Sequence, residues 1–324
     1  MSNIFIKNYG SYVPSKVVTN DMLAEIVDTS DEWIVQRTGI KERRISEGED
    51  VSSLAINAAR KILDKENLDP KDIDLIITAT ITPDNFVPSV SCMVQKEIGA
   101  DNAMAFDISA ACSGFVYAMQ IAYSMMNMNN NFKKAIVIGS EVLSKIVDWE
   151  DRGTCVLFGD GAGAVLLEKS NKDKLVDFYS YSIGKKGEAL QCGGFDVLNP
   201  YVTTKQVKNK KVTMDGREVF KFAVKSIENS VKTLLERNEL DINDIDYIVP
   251  HQANERIIEF TTHKLGIDKN KIFMNLQHYG NTSSASIAIA LSEMNEKGML
   301  KEGMKILLVG FGGGLTVGSL LLEL

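Results

Sequence analysis

The chain has 324 residues, 44% of them hydrophobic and 24% charged, with a formal net charge of -7. That length supports one large or two medium cores with room for a deep, dry site, and the acidic balance argues against nucleic acid, which calls for a basic footprint. No apolar run reaches the roughly 18 residues of a membrane span, and "MSNIFIKNYGSYVPS" lacks a signal-peptide pattern, so a cytoplasmic protein is expected.

The segment "DTSDEWIVQRTGIKERR" offers Trp and Arg that could pack on a helix surface. After it, "SLAINAARKILDKEN" repeats apolar residues at three- and four-residue steps and predicts an amphipathic helix. A turn rich in Asp leads to the strand of "LDPKDIDLIITAT", followed by the loop "TPDNFVPS". Then "AMAFDISAACSGFVYAMQIA" reads as strand, tight turn and buried helix, and "KKAIVIGSE" as a further strand. The stretch "FGDGAGAVLLE" is Gly-rich, but Val165 and Leu167 alternate as in a strand, so it opens no phosphate-binding helix. It is expected to be a hairpin turn with glycines for positive φ, open to close substrate approach.

A charged stretch, "EKSNKDKLVD", separates two halves near residue 170, giving expected units 1–170 and 171–324. The second half repeats the first. Its helix is "EVFKFAVKSIENSVKTLLERN", and "LDINDIDYIVPHQ" from Leu240 matches "LDPKDIDLIITAT" from Leu68, 172 residues earlier. Downstream, "KIFMNLQHYGNTSSASIAIA" pairs with "AMAFDISAACSGFVYAMQIA", "GMKILLVGF" with "KKAIVIGSE", and "FGGGLTVGSLLLEL" supplies the closing Gly-rich turn. The fold expected is α/β, two similar halves about an internal pseudo-dyad, with mixed sheets and buried helices between layers. This alignment sets Cys112 opposite Gly280, beside Asn281, and His251 at the strand end corresponding to Thr80.

The four cysteines, Cys92, Cys112, Cys155 and Cys192, are scattered, and only three histidines exist, so neither a disulfide framework nor a zinc site is indicated. Cys92, Cys155 and Cys192 read as small buried hydrophobes. Cys112 differs. It precedes a buried helix whose N-terminus favours the thiolate, which makes it the candidate nucleophile. His251 in "PHQAN" and Asn281 in "YGNTSSAS" are its candidate partners, while His263 lies on a charged helix face and His278 in a turn.

Taken together, "DISAACSGF", "PHQAN", "HYGNTSSAS", "FGGGLTVGS", "DTSDEWIVQRTGIKERR" and "DRGTCVLFGDGAGA" resemble the β-ketoacyl-acyl carrier protein synthase III family, from Ile4 to Leu322. The resemblance implies a thiolase-like fold layered α-β-α-β-α and a Cys-His-Asn triad of Cys112, His251 and Asn281. It implies an oxyanion hole from the amides of Cys112 and Gly313, and a ping-pong decarboxylative condensation of an acyl-CoA primer with malonyl-acyl carrier protein. It points to Thr29, Trp33, Arg37, Arg152 and Asn254 for CoA, and to Lys221, Arg256 and Lys264 for an acidic acyl carrier protein. No metal or organic cofactor is required, and a homodimer is implied, with no membrane partner. In the loop "TPDNFVPS" the family often has Phe immediately before the proline; here Val87 stands there with Phe86 beside it, so a pocket wider than acetyl needs is expected. An acyltransferase without decarboxylation or a specialised-metabolite condensing enzyme would use the same acyl-cysteine, and a cysteine hydrolase the same triad types.

Overall fold

The computed structural model describes residues 2–203 and 207–324. Its frame is two sheets. The first orders five strands as Ser2–Tyr12, Gly161–Lys174, Lys134–Glu141, Leu75–Ala79 and Met104–Ile108. The second orders four as Tyr247–Pro250, Lys305–Gly312, Thr316–Glu323 and Val176–Ser182. The chain crosses between them at Leu175, within the charged stretch "EKSNKDKLVD".

Alternation along the strands sets the layers, because successive side chains point to opposite faces. Ile76, Ile136 and Leu166 face the apolar stripes of helices Val51–Glu66 and Val90–Ile98. Their neighbours Leu75, Val137 and Val165 face helices Gly114–Met128 and Ala285–Glu296, whose far side meets Val249, Leu308 and Leu320 of the second sheet. On that sheet's outer face, Ile248, Leu307 and Leu321 pack against Gly216–Arg237 and Glu255–Leu265. The stack is therefore helix, sheet, helix, sheet, helix, with two central helices that are apolar nearly all round.

The internal repeat is real, and the 172-residue offset read from Leu68 and Leu240 holds through the turns, whereas the pairing read downstream of it slips by four residues. Ala111 and Ser283 both take a left-handed backbone, φ 47° and 48°, just before the central helices. They are 172 residues apart, which sets Ser284 opposite Cys112 in place of Gly280, and Ala79 opposite His251 in place of Thr80. The cause is local. The expected strand in "KIFMN" contracts to one parallel bridge, Ile248 with Ile272, and a short helix Leu276–Tyr279 follows it. Counting from the strand therefore misplaces the turn.

Of the two Gly-rich stretches, one is the hairpin expected and the other is not. "FGGGLTVGS" is a hairpin, Lys305–Gly312 against Thr316–Glu323, with Gly314 at φ 129°. "FGDGAGA" is not a hairpin turn, and none of its glycines has positive φ. There glycine answers a close approach: a Cβ on Gly163 would stand 2.5 Å from the Ala288 carbonyl carbon and the Ile289 nitrogen of a central helix.

Candidate active site

Cys112 sits in the 3-10 turn Ala111–Ser113 that leads into Gly114–Met128. The left-handed Ala111 ahead of it stores strain of roughly 1–3 kcal/mol, which the surrounding packing must offset. Part of that restraint is a hydroxyl pair. Ser113 Oγ and Thr316 Oγ1 lie 2.7 Å apart, and the two hydroxyls also contact the Ala110 and Gly313 carbonyls, at 2.8 Å from Ser113 and 2.9 Å from Thr316 respectively. The cysteine turn is thus tied to the glycine turn of the other half. Packing is equally close: a Cβ on Gly312 would lie 2.8 Å from Cys112 Cβ and 3.0 Å from its N and Sγ.

A cavity of about 1250 Å³ opens beside the thiol, its lining including Cys112, Ser283, Gly313, Phe86 and Val87. Burial pushes the Cys112 thiol up to about 12. Burial thus works against the preference for the thiolate expected of the helix N-terminus. Ser283 opposes that shift. Its buried hydroxyl is committed to no other group, which leaves its proton for the sulfur and so favours the thiolate.

His251 ends the strand Tyr247–Pro250, its amide donating to the Val309 carbonyl at 2.8 Å. The ring is buried, stands edge-on to Phe311 at 5.3 Å, and has Nδ1 2.7 Å from Ser286 Oγ. Ser286 Oγ also accepts from the Gln252 amide at 3.4 Å, and when the serine donates its own proton to Nδ1 the imidazole proton sits on Nε2. Burial pushes His251 down to about 3. It is neutral.

Asn281 is anchored by its backbone, which donates to Leu157 and accepts from Gly159. Its Oδ1 accepts from the Ser283 amide at 2.9 Å, which fixes the amide's orientation and leaves Nδ2 as a donor. Ser283 thus touches both Cys112 and Asn281. Sequence reading missed Ser283, Ser286, Thr316 and Phe311; the hydroxyl run "NTSSAS" was the available signal for the first two.

Of the residues singled out for CoA, Trp33 lies between two guanidinium groups, Arg37 at 4.3 Å and Arg152 at 5.2 Å from its ring centre. Arg152 also donates to the Asp28 carbonyl at 2.9 Å. Thr29 Oγ1 is buried without a partner. Both ends of the Asn254 amide serve the fold: Oδ1 caps Glu255–Leu265 at the Arg256 amide, 2.9 Å, and Nδ2 donates to the Arg37 carbonyl, 3.0 Å.

Of the cations singled out for an acidic partner, Lys221 pairs with Glu218 at 3.0 Å and Lys264 with Glu228 at 2.7 Å. Among the described residues Arg256 has no ion-pair partner, which makes it the least compensated of the three. His278 lies 3.3 Å from Glu42. Phe86 and Val87 are 75% and 83% exposed, and Phe86 packs at 4.9 Å against Phe195.

Known proteins match the chain over nearly its whole length. The family described as 3-Oxoacyl-[acyl-carrier-protein (ACP)] synthase III matches residues 106–187, and its C-terminal family residues 235–324. The chain is 54% identical to a β-ketoacyl-[acyl-carrier-protein] synthase III of Clostridium botulinum (strain Okra / Type B1), over 98% of each chain. It is 54% identical to the synthase of the same name from Clostridium acetobutylicum, over 100% of this chain and 99% of that one. The crystal structure of 3-oxoacyl-[acyl-carrier-protein] synthase III from Aquifex aeolicus VF5 superposes with a TM-score of 0.92 at 46% identity, covering 99% of this chain and 100% of that one. Fold and site define a thiolase-like condensing enzyme, an acyltransferase. Within that class the chain belongs to the β-ketoacyl-acyl carrier protein synthase III family, which carries out the initiating condensation of fatty acid synthesis.

Proposed function

We propose that Cys112 is the nucleophile that takes the primer from acyl-CoA, and that His251 and Asn281 then stabilise the enolate formed from malonyl-acyl carrier protein. In the first half-reaction the sulfur of Cys112 attacks the thioester carbonyl, the carbon–sulfur bond to CoA breaks, and the thiol proton leaves with the CoA sulfur. The carbonyl oxygen is held by the Cys112 and Gly313 amides, donors that need no reorganisation as charge develops. In the second, the malonyl carboxylate leaves as carbon dioxide and its bonding electrons form the enolate. The enolate oxygen accepts from His251 Nε2 and Asn281 Nδ2, its carbon attacks the Cys112 thioester, and the cysteine departs as a thiolate that regains a proton.

The observation that carries this reading is a pair of neutral side chains, His251 buried and hydrogen-bonded at Nδ1 to Ser286, and Asn281 with its oxygen occupied; donation by Ser286 directs the imidazole proton to Nε2. A protonated imidazole would also attract the malonyl carboxylate, whereas a neutral one favours its loss. The Trp33 ring with its two arginines supports stacking on the CoA adenine, and arginine suits the phosphates. Thr29 adds an unpartnered hydroxyl, while Asn254 serves by holding the Arg37 backbone. Arg256, with Lys221 and Lys264, receives the carrier protein. Exposure of Phe86 and Val87 supports a second copy closing the acyl cavity, hence a homodimer working in the cytoplasm without metal or organic cofactor. The test is to supply acetyl-CoA or octanoyl-CoA with malonyl-acyl carrier protein and follow product mass and carbon dioxide. A β-ketoacyl carrier product lost in Cys112→Ala is expected; acyl transfer without carbon dioxide would refute the condensation.

A further inference from the structure

Glu141 ends the strand Lys134–Glu141 and is fully buried, and no step above uses it. Among the described residues no cation pairs with it, and the titratable group that feels its charge is the Cys112 thiol. Its Oε2 accepts from Thr82 Oγ1 at 2.6 Å, Thr80 Oγ1 at 3.1 Å and the Ile81 amide at 3.1 Å. Each threonine oxygen also accepts, Thr80 Oγ1 from the Thr82 amide and Thr82 Oγ1 from the Val142 amide, which leaves its proton for Glu141. The third hydroxyl contact is different. Ser284 Oγ lies 2.8 Å from the Ala79 carbonyl and 2.8 Å from Glu141 Oε1. A serine hydroxyl has one proton, and a carbonyl can only accept. With Glu141 ionised, one of these two contacts would oppose acceptor to acceptor.

We propose that Glu141 is a positioning residue that carries its proton on Oε1 and donates it to Ser284 Oγ, which in turn donates to the Ala79 carbonyl. This chain of donors joins the cavity wall at Ile81 and Thr82 to the turn at Ser283 and Ser284, whose first hydroxyl faces Cys112. Ser284 is also the internal counterpart of Cys112, so the acid braces the dyad position behind the nucleophile. Burial raises the Glu141 carboxyl, in keeping with a retained proton. Neutrality matters next to the thiol, since a carboxylate there would raise Cys112 further.

The positioning role rests on Cys112 being the acylated residue; the protonation state does not. Infrared difference spectra of the wild type against Glu141→Gln near neutral pH should contain a protonated carboxyl stretch that shifts in deuterium oxide. A carboxylate band pair in its place overturns the proposal. The pH profile of Cys112 alkylation by iodoacetamide should superimpose in the two proteins, whereas a profile displaced to lower pH in Glu141→Gln means that a negative charge was removed. Glu141→Ala, which leaves buried hydroxyls unpartnered, should slow Cys112 acetylation by roughly ten- to a hundredfold, with Glu141→Gln restoring the rate to within about threefold. Equal rates in all three proteins refute the positioning role. Should Glu141→Ala fail to fold, the two measurements on Glu141→Gln decide. If Cys112→Ala still condensed, the nucleophile assignment would fail while the infrared result stood.

Discussion

Replacing Gly312 with alanine isolates the contact that sets Cys112 against the glycine turn. Gly312 has no positive φ, so the backbone tolerates alanine and the effect is purely steric. The new methyl would meet Cys112 Cβ at 2.8 Å and its N and Sγ at 3.0 Å. Ordinary carbon contacts lie near ~3.5–4.0 Å, so the turn must retreat by about 0.5–1 Å. Overpacking of this kind costs about 1–3 kcal/mol of stability, and a displacement near 1 Å at a reacting group costs roughly a hundredfold in rate. The assay is the single-turnover rate of Cys112 acetylation by acetyl-CoA, with the unfolding midpoint measured beside it. Gly184→Ala is the control, because a methyl group there would have nothing within 4 Å and the φ of Gly184 is not positive. A Gly312→Ala protein that acetylates at the wild-type rate would refute the close apposition of the two turns.

Ser283→Ala removes the hydroxyl beside the sulfur and should shift Cys112 alkylation to higher pH and slow acetylation about tenfold, with little change in KM for acetyl-CoA. His251 is held neutral while the unfolded chain takes up a proton below about pH 6.5, so stability should fall as pH drops from there toward 3. Urea unfolding should show up to about 2 kcal/mol lost between pH 7 and 5, and a smaller loss in His251→Gln. Arg256→Glu should raise KM for malonyl-acyl carrier protein roughly tenfold at low salt and leave acetyl-CoA kinetics alone, whereas Lys264→Glu, already paired to Glu228, should do less. Octanoyl-CoA should acylate Cys112, because Val87 leaves room in the cavity; acetyl-CoA alone succeeding would refute the wide pocket.

Much of the scaffold was legible because buried strands and helices write their periodicity into the chain. "LIITA", "AIVIGSE" and "ILLVGF" became strands, and the repeat of "LDPKDID" by "LDINDID" announced two halves. The 172-residue offset was legible there, but its continuation through the turn before the central helix was not. It depends on the left-handed kinks at Ala111 and Ser283, which neither residue type signals, and on a strand in "KIFMN" that gives way to a helical turn. Cys112, His251 and Asn281 stood out as reactive types at element ends. Their electrostatics did not, because whether a helix N-terminus lowers a thiol or burial raises it depends on what covers the site. Glu141 looked like the polar end of a strand; only the folded chain surrounds it with Thr80, Thr82 and Ser284. The glycines of "FGDGAGA" suggested a turn, yet their reason is a neighbouring helix far away in sequence.

The most direct test of the central claim is intact-protein mass spectrometry after mixing with acetyl-CoA alone, followed by peptide mapping and a chase with malonyl-acyl carrier protein. One acetyl group per chain on Cys112, cleared by the chase as acetoacetyl carrier product appears, is the predicted result. Acetyl on another residue, or acetyl-Cys112 that the chase leaves in place while product forms, would contradict the account.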